Sequence, residues 1–360
     1  MVERSPYNIV RLELPAGDTP DPYSAAAELL DGWRDGGVLQ RDRTPSFYGY
    51  RMSYTDDSGQ PRSTMGVIGA LGLEPPGEGI LPHEETTPKA KSDRLRLLRA
   101  TRANLSPIWV LTPVTGLAEL CNPPAHPAEH TIEAARVAGS ENVLHELWPI
   151  VDDDRIAAIA AHVASEPVLV ADGHHRYETA LTFQAEDRSP ASASVLALVV
   201  ELDDRQLSVQ AIHRLVAGVA ADALLEALGE AFDLSPTSPI GADIASRMAD
   251  AGALAVVTSA GTWMAKAKAH TRAAATHDLD SSRLDVVLAV LPGAEVSFQH
   301  GWESAAAAVA AGEATAAVLL RPATVEQIAG ISRGGVRMPP KTTFFWPKPR
   351  TGLVLRELVG

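Results

Sequence analysis

The sequence predicts an α+β protein with mixed sheets in at least two lobes. Segments of period 2, the mark of a strand, alternate along it with segments of period 3.6, the mark of an amphipathic helix. In mid-chain the apolar run Val168–Val170 leads through Asp172–Arg176 into a helical pattern from Tyr177 onward. At 360 residues, 46% of them hydrophobic, the chain is long enough to bury a sizeable core, in two domains or one elaborate one.

Taken in order, "NIVRLEL" alternates as a strand does. "DPYSAAAELLDGWRDGGV" carries a helical stripe of Ala25, Leu29, Leu30 and Trp33 that Gly36 and Gly37 stop. "SFYGYRMSY" and "TMGVIGALGL" read as two strands joined by the polar hairpin "TDDSGQPRS". A helix opens at Ser92 or Asp93 within the basic stretch "TTPKAKSDRLRLLRATRANL", and "SPIWVLTPV" follows as a buried strand. "NPPAHPAEH" is the clearest linker. The acids of "DDDRIAAIAAHVAS" suit the positive end of a helix dipole. Strand "PVLVA", the polar turn, helix "YETALTFQAE" and strand "SVLALVVEL" then follow in a βαβ-like order. From about Gly218 the chain is rich in alanine, with helices such as "ADALLEALGEAF" between short strands such as "ALAVVTS" and "ATAAVLL". The tail closes on a strand-like "TGLVLREL". The expected regions are residues 1–125, 126–217 and 218–360.

A net charge of −14 argues against extended binding to nucleic acid or to an anionic membrane, while leaving room for a local basic pocket that takes a small molecule. The single cysteine, Cys121, excludes an internal disulfide and a multi-cysteine zinc site, and reads as an apolar filler. The first residues lack the pattern of a signal peptide, and no apolar run reaches the ~20 residues of a membrane helix. A soluble, cytoplasmic protein is expected.

Hydrophobic burial has no use for Asp172–Arg176 at the end of a strand. The first N–H groups of the following helix lack partners within it and attract anions, phosphate above all. Gly173 permits a close backbone approach. His174 and His175 offer donors, Arg176 offers a planar fork that matches phosphate, and Asp172 suits a cation. The alternative is a turn whose charges merely cap the helix. Adjacent histidines serve one metal ion poorly compared with a pair at i and i+4.

Three further clusters carry chemistry-bearing groups. "LPHEETTPKAKSDRL" supplies His83, Glu84, Glu85, Thr86, Lys89 and Lys91: a general base beside phosphate-neutralising lysines, or a solvated loop. In "MPPKTTFFWPKP", Lys341, Thr342 and Thr343 suit a phosphate, and Phe344, Phe345 and Trp346 suit a stacked base. The same segment equally suits a structural plug. His213–Arg214 reads as a ligand contact or as a satisfied, partly buried pair. No Walker-type loop, G-x-G-x-x-G or G-x-S-x-G elbow occurs, so a phosphate cradle here is an unconventional one.

"ILPHEETTPKAKSDRLRLLRATRANLSPIWVL", "VLVADGHHRYETAL" and "MPPKTTFFWPKPRTGL" together resemble a bacterial family catalogued as a domain of unknown function. The resemblance runs from about "SPYNIVRLELP" to the C-terminus. The "DGHHR" turn also resembles that of free-serine kinases of the SerK type, in the ParB/sulfiredoxin-like superfamily, where a polar turn before a helix receives nucleotide phosphate. "LPHEE" and "SPIWVL" stand in the order expected of that superfamily's core.

The resemblance implies a ParB/sulfiredoxin-like core around the turn. It implies phosphoryl transfer from ATP or ADP to the hydroxyl of free L-serine, with magnesium (Mg2+). Under it, Gly173, His174, His175 and Arg176 cradle the nucleotide, with Thr179, Lys341 and Thr342 nearby. Glu84 is the base, with Glu85 its alternative, and His174 and His175 join it in catalysis. Asp172 holds magnesium or the substrate ammonium. Lys89 or Lys341 neutralises the transferred group, and His83, Glu85, Lys89 and Arg214 border the substrate. Family members often carry an added N-terminal segment that has no counterpart here, which would leave the pocket incomplete. Two other classes compete: a nucleotide-binding regulatory module without transfer, and a metal-dependent hydrolase using His83, His174 and His175.

Overall fold

The alternation around residue 50 becomes a long antiparallel hairpin, β1 (Phe47–Thr55) against β2 (Pro61–Gly72), with Tyr50 opposite Gly66. The computed structural model describes residues 5–15, 20–56, 59–75, 77–82, 88–123, 132–134, 143–334, 338–339 and 341–358. The chain divides into two units, residues 1–208 with 347–360, and residues 209–346. This division differs from the three expected regions, because the sheet built on the hairpin draws strands from both sides of residue 125.

In the first unit the chain continues through β3 (Ile80–Pro82), β4 (Ala103–Asn104), β5 (Ile108–Thr112), β6 (Ile132–Ala134), β7 (Leu144–Ile150), β8 (Val168–Asp172) and β9 (Ser194–Glu201). All but β4 form one mixed sheet in the order β3-β8-β5-β9-β2-β1-β7-β6. β5 lies antiparallel to β8 and parallel to β9. β8 and β9 therefore oppose each other, and the βαβ-like order is not a parallel crossover. The intervening strand reverses the sense.

The helices of this unit are α1 (Val10–Glu13), α2 (Pro22–Asp35), α3 (Pro88–Thr101), α4 (Leu117–Cys121), α5 (Asp153–Val163) and α6 (His174–Asp187). "NIVRLEL" forms α1 and not the expected strand. Among the described residues it pairs with no strand, and Leu12 packs with Ala26, Leu30 and Trp33 of α2. Asp21 caps α2 by accepting from the N–H groups of Tyr23 and Ser24. α3 starts earlier than the expected Ser92, with Pro88 at its first position.

Alternate residues of the central strands serve two buried faces. Ile108, Val110, Val168, Val170 and Val199 meet Ile159 of α5 and Tyr177 of α6. On the other face Tyr50, Met52, Trp109, Leu111 and Leu198 are buried. Burial on both sides is why these strands read as continuous apolar runs. Cys121 is buried in the first core, which pushes its thiol up to about 12, as an inert filler requires.

The second unit contains β10 (Ser208–Gln210), β11 (Ile212–Ala217), α7 (Ala221–Ala231), β12 (Phe232–Thr237), α8 (Ile244–Ala251), β13 (Leu254–Thr258) and β14 (Gly261–Ala267). It goes on through α9 (Ala269–Ala274), α10 (Asp280–Leu288), β15 (Glu295–His300), α11 (Trp302–Ala310), β16 (Ala316–Leu319), α12 (Val325–Arg333) and β17 (Phe344–Trp346). Six strands make an antiparallel sheet in the order β12-β14-β13-β16-β11-β15. The chain then returns to the first unit, where β18 (Arg356–Glu357) pairs with β4. Only two residues of the strand-like tail take up that role. Among the described residues no helix is long and apolar enough to cross a membrane.

His145 is buried on β7, where its Nδ1 lies 2.6 Å from the Tyr50 hydroxyl. Burial, helped by Arg350, pulls its imidazole from 6.5 down to about 4. The unfolded chain takes up this proton near 6.5 while the fold refuses it. Stability is therefore complete above about pH 6.5 and falls toward about pH 4, with His145 contributing up to about 3 kcal/mol. Urea unfolding across that range measures the fall, and His145→Gln makes it shallower.

Candidate functional site

β8 brings Asp172 to its C-terminal end, and α6 begins two residues later with no loop between. Gly173 makes this possible. It sits at φ 94°, ψ 25°, in the left-handed region, and a Cβ there would lie 2.9 Å from Ile108 Cγ2 and 3.0 Å from Arg176 Nη2. As the N-cap residue it supplies no side chain to cap α6.

Two cations share the Asp172 carboxylate. Arg176 Nη2 donates to Oδ2 at 2.8 Å, and Lys348 Nζ donates to Oδ1 at 2.8 Å. Among the described residues, two cationic side chains and one carboxylate thus meet at a helix N-terminus. Burial opposes ionisation of Asp172, but the charges of Lys348 and Arg176, with His174 behind them, hold its carboxyl below the ordinary value of 3.8. Arg176 also works inward: Nη1 donates to Ser106 Oγ at 2.9 Å and to the Pro107 carbonyl at 2.6 Å. The fork that the sequence offers to phosphate is partly a brace between α6 and the approach to β5.

His174 is buried at the first position of α6 and His175 is half-buried beside it. Thr179 is buried one turn on, lining a cavity of about 50 Å³ with Arg176, Ser106 and Arg94. Its hydroxyl has no hydrogen-bond partner among the described residues.

His83, Glu84, Glu85 and Thr86 lie outside the described residues, as do the side chains of Lys89 and Lys91. What is described is the strand that leads to them. β3 runs parallel to β8 and ends at Pro82, level with Val170 and two residues short of Asp172.

Lys341, Thr342, His213 and Arg214 belong to the second unit. Lys341 is exposed, in the left-handed region at φ 59°, and its carbonyl accepts from Arg214 Nη1 at 3.0 Å. Arg214 is buried, donates also to the Ile212 carbonyl at 2.8 Å, and lies 4.7 Å from the Phe298 ring. His213 Nδ1 accepts from the Leu320 N–H at 3.2 Å. Burial first, then His300 and Arg214, pull the His213 imidazole down to about 4. These bonds match a satisfied pair. Thr342 is buried and donates to the Pro339 carbonyl at 2.7 Å, and Phe345 is fully buried. This part of the tail packs as the structural reading expects.

Lys348 was not singled out by sequence reasoning, which stopped at Lys341. Its flanking prolines, Pro347 and Pro349, are the local signal that this lysine is held stiffly. Both Asp172 oxygens accept from cations, which compete with a magnesium ion for that carboxylate. Among the described residues no group of three or more His, Cys, Asp or Glu is placed to hold a metal ion.

A family model described as "Protein of unknown function (DUF1015)" matches residues 1–287. The chain belongs to the DUF1015 family. Solved structures similar to this DUF1015 chain include a conserved hypothetical protein from Pyrococcus furiosus, at 13% identity and a TM-score of 0.42, covering 81% of this chain and 95% of that one. Another is a free serine kinase in complex with AMP, at 14% identity and a TM-score of 0.41, covering 78% of this chain and 86% of the other. A third is SbnI with a C-terminal truncation from Staphylococcus aureus, at 12% identity and a TM-score of 0.44, covering 79% and 85%. No curated protein matches the chain.

Two substitutions test the turn. Gly173→Ala combines a positive φ with a clash against Ile108 and costs about 1–3 kcal/mol of stability in denaturant unfolding. Asp172→Asn leaves two cations facing each other and costs about 1 kcal/mol at neutral pH, a modest figure because the carboxylate is 37% exposed. The folded carboxyl sits below its unfolded value, so its contribution is present above the unfolded value and fades as pH falls through the folded one. Wild type and variant therefore converge in strong acid.

Proposed function

We propose that this DUF1015 protein is a nucleotide-dependent phosphotransferase acting on the hydroxyl of a small molecule, with free L-serine as acceptor and ATP or ADP as donor. The observation that carries the reading is the pair of cations, Arg176 and Lys348, on the single carboxylate of Asp172 at the start of α6. An arriving phosphate finds two cationic side chains and the N–H groups of a helix start whose N-cap residue, Gly173, has no side chain. It enters as a second anion between two cations already held in place.

Phosphoryl transfer asks a protein chiefly for positioning and for charge stabilisation. Gly173 keeps the backbone open to the phosphate, while Arg176 and Lys348 stabilise charge on the transferred group. Asp172 keeps both cations oriented. Glu84 is the proposed base, taking the hydroxyl proton as the oxygen attacks phosphorus and the nucleotide leaves with the bonding pair. Its support is the end of β3 at Pro82, on the strand parallel to β8 and two residues from the level of Asp172. Lys341 is a further candidate for charge neutralisation.

The test is incubation with ATP or ADP, magnesium in the buffer and a panel of hydroxy amino acids, read by mass spectrometry and phosphorus NMR. O-phosphoserine is expected. Lys348→Met weakens nucleotide binding by about tenfold, equivalent to about 1.4 kcal/mol, without changing the melting temperature appreciably. Glu84→Gln retains affinity and lowers turnover by about 10²–10⁴. Nucleotide binding without any phosphoester product would make the protein a regulatory module instead. Wild-type affinity in Lys348→Met would remove the Asp172 cluster from the reading.

A further inference from the structure

Between α5 and the large sheet, the first unit holds a cleft of about 420 Å³, within the range of about 300–1,000 Å³ found for small-molecule sites. Protein interiors close nearly all voids larger than a water, so this opening has a cause. Small residues line it, Gly72 of β2 and Ala160 and Ala164 beside or within α5, while the Phe47 ring covers Gly69. The walls behind them are core residues, Val67, Ile80, Ile159, Val168 and Val199, each at most 5% exposed. The interior of the cleft is accordingly apolar.

Its rim has the opposite character. Glu74, Ser165 and Glu166 stand there, and among the described residues no lysine, arginine or histidine lines the cleft. Gly79 contributes to the same rim, and the Glu74 carboxylate occupies the space where a Cβ would be. The cleft reaches β8 at Val168, the end opposite Asp172. Four residues of strand separate the two, roughly 13 Å, so the cleft is a place apart from the turn.

The geometry points to a binding site for a compact cationic amphiphile, with an alkyl or aromatic body in the cleft and an ammonium between Glu74 and Glu166. Fatty acids of the same length meet two carboxylates and a chain of net charge −14, and bind poorly. The inference does not depend on phosphoryl transfer.

Octylammonium, octanol and octanoate, titrated separately into the full chain by calorimetry, test it. Octylammonium binds saturably and raises the melting temperature, while octanoate binds at least about tenfold more weakly. The double variant Glu74→Gln, Glu166→Gln lowers octylammonium affinity by about fivefold and leaves octanol unchanged. Ala160→Phe, at an exposed position of α5, fills the cleft and abolishes binding of both. Nuclear Overhauser contacts from octylammonium to the methyls of Val67 and Val168 in the wild type provide a check independent of that variant's folding. The inference is overturned by absent saturable binding, by octanoate binding equally well, or by ligand contacts elsewhere.

Discussion

One carboxylate holds the first unit's central turn together. Asp172 ends a buried strand, and its two oxygens receive Arg176 from the next helix and Lys348 from the end of the chain. Arg176 extends the connection to Ser106 and Pro107, just before β5. Three pieces of chain distant in sequence thus meet on a single ion cluster. An unpaired carboxylate in this half-buried position would be costly, and the two cations offset that cost.

The C-terminal return makes this cluster possible and is fastened along its length. The Arg350 N–H donates to the Tyr50 hydroxyl at 2.9 Å, which in turn meets His145. Arg356 donates to the carbonyls of Ser194 and Ala191 and to Ser194 Oγ, so backbone oxygens satisfy it. Burial pulls its guanidinium down from its ordinary value. β18 pairs with β4, and Leu358 packs with Leu98 and Phe183. Residues 347–358 are therefore part of the first unit's structure, and Lys348 is delivered from a segment with little freedom.

The second unit solves a similar problem with different parts. Asp280, almost wholly buried at the start of α10, accepts from Arg283 and from Arg321. Burial works against its charge, but the hydrogen bonds and charge of Arg321 hold its carboxyl below the ordinary value. In a chain of net charge −14, each unit thus has one carboxylate, Asp172 or Asp280, held ionised by two basic side chains. The surplus of acid lies elsewhere, as at the rim of the cleft beside α5.

Local pattern by itself determined the hairpin β1–β2, the strands β5, β8 and β9, and the helices α2, α5, α6 and α7. Their side-chain periods, and the Asp21 and Asp152 caps of α2 and α5, are written within a few consecutive residues. It also determined the turn, because Asp172, Gly173 and Arg176 are neighbours in sequence and have no role in a hydrophobic strand. "NIVRLEL" misled because seven residues of mild alternation fit a helical turn equally well once Leu12 finds α2. Only the tertiary structure decided that β5 separates β8 from β9, that Arg176 faces partly inward, and that Lys348 completes the cluster. The last pairing spans 176 positions. No local period encodes such a contact, since it depends on where two segments come to lie after the sheet has formed.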